Sequence, residues 1–263
     1  MSGRSPDGPD RIAQRDSAGQ AWVGRSLTST GFDRDDGSAD PALRRVMQHP
    51  ADEERLMRAL SIARLLVPVV ARARDVARTP GALSGPSPGR SLGADTSSDM
   101  ASVTVTSPDG QRGLPAFTDA ALLAAWDPAA RPVPVTAARA AQAAVSERCE
   151  VMVLDLGSAR SVVLRPSMVW ALAQQRAWAP AHEDPFVLAA VRRAAAPEND
   201  VAAVAVEPGE PAGAGVLRVA LSVRPGLQAR AVEALATRVG ERIAADGETR
   251  ARIDALRFAI RPA

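Results

Sequence analysis

Residues 100–128 read MASVTVTSPDGQRGLPAFTDAALLAAWDP. Ala101, Val103 and Val105 alternate with Ser102, Thr104 and Thr106, the period-two pattern of a strand with one buried face and one wet face. Ser107-Pro108-Asp109-Gly110 has the composition of a tight turn, and Leu114-Pro115-Ala116-Phe117 reads as the returning partner strand. Ala120 to Trp126 follows as a short helix closed by Asp127-Pro128. Strands and helices thus follow one another over short distances, and the fold class read from the chain is α+β.

Upstream, Asp40-Pro41 is an N-cap followed by proline at the first helical position, which predicts a short helix through Met47 that His49-Pro50 ends. Asp52, Glu53 and Glu54 suit the start of a second helix, whose Leu56, Met57, Leu60 and Ala63 recur at helical spacing. Leu65 to Val70 is a strand candidate, and Pro68 within it points to an edge or a bulge. Residues 72–98 are rich in Pro, Gly and Ser without periodicity and read as a flexible insertion. Residues 1–24 are polar and aperiodic and read as a disordered tail.

Downstream, Pro132 to Val135 is extended, and the Ala-rich segment 137–148 is helical. Val151-Met152-Val153-Leu154 is apolar on both faces and belongs in the middle of a sheet. Val162 to Leu164 is a further strand, and Pro166 opens a helix carrying Met168, Val169 and Leu172. A second unit begins at Asp184-Pro185, another cap signature. Its strands fall at 201–206 and 216–223, the second with Leu217, Val219, Leu221 and Val223 on one face. A helix striped by Val232, Leu235, Ala236, Val239 and Ile243 comes next, with Gly247 past its end, and Leu256, Phe258 and Ile260 mark the last strand. The expected organisation is two small mixed sheet-and-helix units, 25–182 and 183–263, the first interrupted by the insertion at 72–98.

Composition excludes whole reaction classes. All 32 basic residues are Arg, so no Walker A lysine and no amine for Schiff-base chemistry exist in this sequence. Without Lys or Tyr to titrate, the net charge of +2 persists to high pH, and the pI of 9.7 overstates how basic the chain is. The one lopsided stretch is Arg72, Arg74, Arg78 and Arg90 against Asp75, a weak pointer to nucleic acid. No apolar run approaches the roughly 20 residues of a membrane helix, and the N-terminus has no apolar h-region, so a cytoplasmic protein is expected. Cys149 is the only cysteine, which suits a reducing compartment.

Gly31-Phe32-Asp33-Arg34-Asp35-Asp36-Gly37-Ser38-Ala39-Asp40-Pro41, Ala63 to Val70, Leu114-Pro115-Ala116-Phe117-Thr118-Asp119, Ala125-Trp126-Asp127-Pro128 and Val169-Trp170-Ala171-Leu172 together resemble actinobacterial proteins of the SseB family. The hydrophobic-Pro-x-Phe-Thr motif followed by Trp126 is the most specific piece, and the likeness covers most of residues 25–182. The family more often has Ser at the place of Asp119. The resemblance implies a fold and no accepted catalytic residues.

Candidate sites have duller readings that win. Gly85-Pro86-Ser87-Pro88-Gly89 matches a nucleophile elbow in letters, but prolines in a linker cannot supply its strand–turn–helix frame. Gly213-Ala214-Gly215 lacks the third glycine of a dinucleotide fingerprint and reads as a hairpin. His182-Glu183-Asp184 reads as the approach to a helix capped by Asp184, and His49 as a loop residue; two His and one Cys make a structural zinc site improbable. Asp33, Asp35 and Asp36 are out of register for a calcium loop and read as turn residues. Cys149 is read as buried and structural, with a thiolate activated by Arg148 as the alternative. Phe117 and Trp170 are read as core anchors; Trp126 fits the core or a recognition groove equally. The expectation is therefore no catalytic, cofactor or metal residue and no cofactor. The function expected is a non-catalytic protein–protein interaction or accessory module with an unknown protein partner. A nucleic-acid or ribosome-associated factor acting through the Arg-rich linker stands second, and a thiol-dependent enzyme through Cys149 third.

Overall fold

The computed structural model describes residues 31–73 and 98–263. Gly31–Arg34, the described end of an N-terminal unit, form a turn, and Asp35 to Ala263 form one compact unit. α1 (Pro41–Val46) starts where the sequence places it: the Asp40 carboxylate accepts from the amides of Ala42 and Leu43 at 2.8 and 2.9 Å, and Pro41 occupies the first turn. α2 (Glu53–Ser61) is capped by Asp52 and buries Leu56, Met57 and Leu60.

β1 (Arg64–Ala73) runs between β2 (Ser98–Ser102) and β5 (Arg131–Thr136), antiparallel to both. Pro68 therefore lies in a central strand, not at the expected edge or bulge. It is tolerated because it falls where β1 changes partner: Leu66 exchanges both backbone bonds with Phe117, and the ladder with β2 begins only at Val69. Because Leu66 turns its polar groups to Phe117, it meets Pro134 of β5 as a non-hydrogen-bonded pair. Pro68 meets Pro132 in the same parity, so neither proline of the edge strand β5 removes a ladder bond.

The expected strand through residues 101–106 is also corrected. It divides between two sheets: β2 ends at Ser102 on β1, while β3 (Val105–Thr106) pairs with β4 (Arg112–Ala116) across the predicted Ser107–Gly110 turn. Gly110 supplies the positive φ of +88° that this turn demands. The expected insertion 72–98 is trimmed at both ends by the pairs Arg72–Asp99 and Ala73–Ser98. Residues 74–97 and the expected tail 1–24 lie outside the described residues.

β4, β6 (Val151–Leu154) and β7 (Val162–Leu164) complete a four-stranded sheet in the order β3-β4-β6-β7, with β4 and β6 parallel. α3 (Ala120–Trp126), β5 and α4 (Ala137–Ser146) make the crossover between β4 and β6. All four residues of β6 are buried, as its two-faced apolar run requires. α4 and α5 (Pro166–Ala173) pack beside α2 over this core, which includes Leu60, Leu114, Leu154 and Met168.

The C-terminal part has a core of its own. α6 (Pro185–Ala195), β8 (Val201–Pro208), β9 (Val216–Val223), α7 (Ala229–Ala245), α8 (Gly247–Ala251) and β10 (Ala255–Pro262) form a three-stranded sheet in the order β10-β9-β8 with helices on one face. Leu217, Val219 and Leu221 point together into it and are at most 1% exposed. Gly247 lies past the end of α7, as expected, but it also opens α8, because the Asp246 carboxylate caps the amides of Glu248 and Thr249 and restarts the helix. Among the described residues no helix is long and apolar enough to cross a membrane.

The two cores meet along a charged seam. Arg165, between β7 and α5, donates to Glu53 of α2, to Asp254 ahead of β10 at 2.8 Å and to the Gly213 carbonyl at 2.8 Å. Asp254 in turn accepts from the Ser167 amide and hydroxyl, and the Trp178 indole donates to that hydroxyl. Burial opposes the Arg165 charge, but its bonds to Glu53 and Asp254 outweigh burial and raise the pKa. Gly215 sits against this node at φ +71°, and a Cβ there would lie 2.5 Å from both the Arg165 Nε and an Asp254 oxygen. Farther along the seam, Arg252 bridges Asp184 and Glu248 and lies over the Phe186 and Trp170 rings at 4.6 and 5.3 Å.

Candidate functional site

Parallel strands β4 and β6 finish at the same level, so the residues just past them face one crevice. Past β4 the chain continues as Phe117-Thr118-Asp119, and past β6 as Asp155-Leu156-Gly157. Asp155 keeps the ladder going by donating its amide to the Ala116 carbonyl, then turns at φ +49°, a conformation rare outside glycine and held here by the Ser158 amide on its carbonyl.

Asp155 is only 3% exposed. One carboxylate oxygen accepts from the Thr118 amide at 2.7 Å and the other from the Thr118 hydroxyl at 2.8 Å, which ties the ends of the two strands together. Burial pushes its pKa up against these bonds; the neighbouring Asp119 pushes the same way, and Arg160 pulls it down. Asp119 caps α3 through the Ala121 amide at 2.8 Å and accepts from the Ala39 amide at 3.3 Å, with the Arg44 guanidinium 3.6 Å away. The Ser158 hydroxyl accepts from the Arg160 amide at 3.1 Å. Arg160 is exposed and acts on Asp155 through its field, with no ion pair among the described residues.

Between α1, the start of α3 and the 155–160 loop these groups enclose a cavity of about 390 Å³, with Met47 and Leu122 as apolar walls and Arg44 and Arg160 as cations. The arrangement offers shape, a cation without an ion pair among the described residues, and two carboxyls anchored to the framework. Its chemistry suits holding an acidic group. Sequence reasoning missed Asp155, although an acid ending a fully apolar strand next to a glycine was a usable signal. Thr118 and Asp119 were noticed only as part of the motif.

The residues weighed from sequence lie elsewhere. Cys149 is buried two residues before β6, and burial raises its thiol pKa, with Arg112 rather than Arg148 as the opposing cation. Phe117 is fully buried and its ring lies 5.3 Å from that of Trp126, so Trp126 packs against the core behind the cavity. Trp170 is half-buried on the seam, between Arg176 and Arg252. Asp184 caps α6 through the Phe186 amide and holds Arg252, while His182 contacts Glu183 at 3.2 Å. His49 is exposed in the turn after α1. Asp35 and Asp36 cap the Gly37 and Ser38 amides, and Asp33 lies in the turn before them. Gly213-Ala214-Gly215 belongs to the β8–β9 hairpin. Gly85 to Gly89, Arg74, Arg78, Arg90 and the Arg72 side chain lie outside the described residues.

The model of the SseB protein N-terminal domain matches residues 40–171, a span that holds every lining residue of the cavity except Ala39. No curated protein and no solved structure matches the chain.

Proposed function

Since the chain belongs to the SseB family through residues 40–171, we propose that it is a cytoplasmic, non-catalytic accessory module that docks a partner protein at the crevice beyond β4 and β6. The observation that carries this reading is the state of the acids there. Asp155 and Asp119 both accept from backbone amides that shape the crevice, which supports a framing role for each. What faces outward is Arg160, a guanidinium suited to a carboxylate on another chain.

Site-specific photo-cross-linking in cells tests it. A photoreactive residue in place of exposed Ala159, on the rim, should yield a discrete protein adduct, while one in place of exposed Ala202, on β8, should not. Equal adducts at both positions, or none at Ala159, would remove the crevice as the docking site.

A further inference from the structure

A second cavity, sharing no residue with the first, opens between α2, the start of α4 and the segment Gln175–Trp178 that follows α5. Its volume of about 620 Å³ lies within the roughly 300–1,000 Å³ of small-molecule sites. Met57 and Leu172, 4% and 3% exposed, form the floor, and Trp178 forms a wall.

That wall is fixed before any ligand arrives. The Trp178 indole donates to the Ser167 hydroxyl at 3.1 Å, and its ring lies 5.8 Å from the Arg165 guanidinium. The turn leading to it is held by the Gln175 amide on Leu172, the Arg176 amide on Ala171 and the Gln142 side chain on Ala173. Preformed walls lower the ordering cost of binding.

The small polar groups on the rim are already engaged: the Ser61 hydroxyl donates to the Arg58 carbonyl, and the Thr136 hydroxyl caps Arg139. Three charged groups line the groove, Glu54, Arg58 and Arg176, and Arg176 is already held by Glu248 at 2.5 Å and lies over the Trp170 ring, so selection by charge falls to Arg58. Among the described residues Arg58 is held only by an exposed 3.5 Å pair with Glu54 on its own helix, a contact weak enough for an incoming anion to displace. We propose that this groove binds a small amphipathic anion: an aromatic or branched aliphatic body, seated on Met57, Leu172 and Trp178, carrying one carboxylate or sulfonate that meets Arg58, while Arg176 stays on Glu248. This site stands apart from the docking crevice and survives its failure.

The full chain is titrated with 8-anilinonaphthalene-1-sulfonate, and the bound probe is then displaced with 4-phenylbutyrate or 4-phenylbutylamine. Saturable one-to-one binding is expected, displaced by the carboxylate and not by the amine. Ala177→Glu, at an exposed position on the rim, should weaken the probe by about tenfold, and Arg58→Gln by roughly threefold, with unchanged thermal unfolding. Absence of saturable binding, equal displacement by the amine, or full affinity in Ala177→Glu would each overturn the proposal.

Discussion

Two carboxylates of this chain are similarly buried and opposite in behaviour. Asp155, at the crevice beyond β4 and β6, is 3% exposed, and Glu198, just past α6, is 9% exposed. Asp155 has only the neutral donors of Thr118, and burial raises its pKa. Glu198 accepts from Arg238 at 3.0 and 2.6 Å and from Arg242 at 2.9 Å, and these guanidiniums lower its pKa to about 2. The Thr118 bonds favour the Asp155 carboxylate but burial outweighs them, whereas at Glu198 two guanidiniums outweigh burial. At the crevice a carboxyl charge is therefore costly, whereas the α6–α7 junction is a fixed brace.

The seam provides the strongest test of that contrast, since Arg165 is the brace for two carboxylates at once. Arg165→Met strands Glu53 and Asp254 beside an apolar chain and should cost about 3 kcal/mol in urea unfolding at neutral pH. A loss below about 1 kcal/mol would mean that water already answers those acids.

Asp155→Ala comes next. It leaves the Thr118 amide and hydroxyl without their acceptor in a site that is 4% exposed, and should cost about 2 kcal/mol. Asp155→Asn keeps an acceptor for the amide without the charge and should stay within about 1 kcal/mol of the parent. If Asn were as damaging as Ala, the charge itself would be holding Thr118.

The pH dependence should carry opposite signs. Glu198 contributes stability that is complete above its unfolded pKa near 4.5 and lost as pH falls toward about 2. Asp155 imposes a cost above its raised folded pKa that is relieved as pH falls through that value. Acid titration of stability in Glu198→Gln should therefore lose the decline between about pH 4.5 and 2, and in Asp155→Asn lose the opposing gain. The smallest effect is at Cys149: its raised thiol pKa predicts slow labelling of the native protein at neutral pH and fast labelling after denaturation.

The sequence made much of the frame readable where local chemistry decides it. Asp40-Pro41 and Asp184-Pro185 start helices because a capping side chain and the proline next to it are enough to do so. The Leu217–Val223 stripe and the two-faced run of β6 locate core strands by pattern alone. What escaped depends on partners far along the chain. Pro68 suits a central strand only because Phe117 and β2 take turns beside it, and the strand through 101–106 divides because two sheets compete for it. The crevice escaped for the same reason: Thr118 and Asp155 are 37 residues apart and meet only through the parallel pairing of β4 and β6.

The docking reading is tested most directly by affinity capture from cells, after nuclease treatment, with the parent chain and with Arg160→Glu compared by quantitative mass spectrometry. Arg160 is exposed and outside every ion pair among the described residues, so the variant is expected to keep the fold and reverse the charge at the rim. The account predicts a protein captured by the parent despite nuclease and depleted about tenfold or more with Arg160→Glu. A captured set that is unchanged by Arg160→Glu, or one that disappears with nuclease, would contradict it.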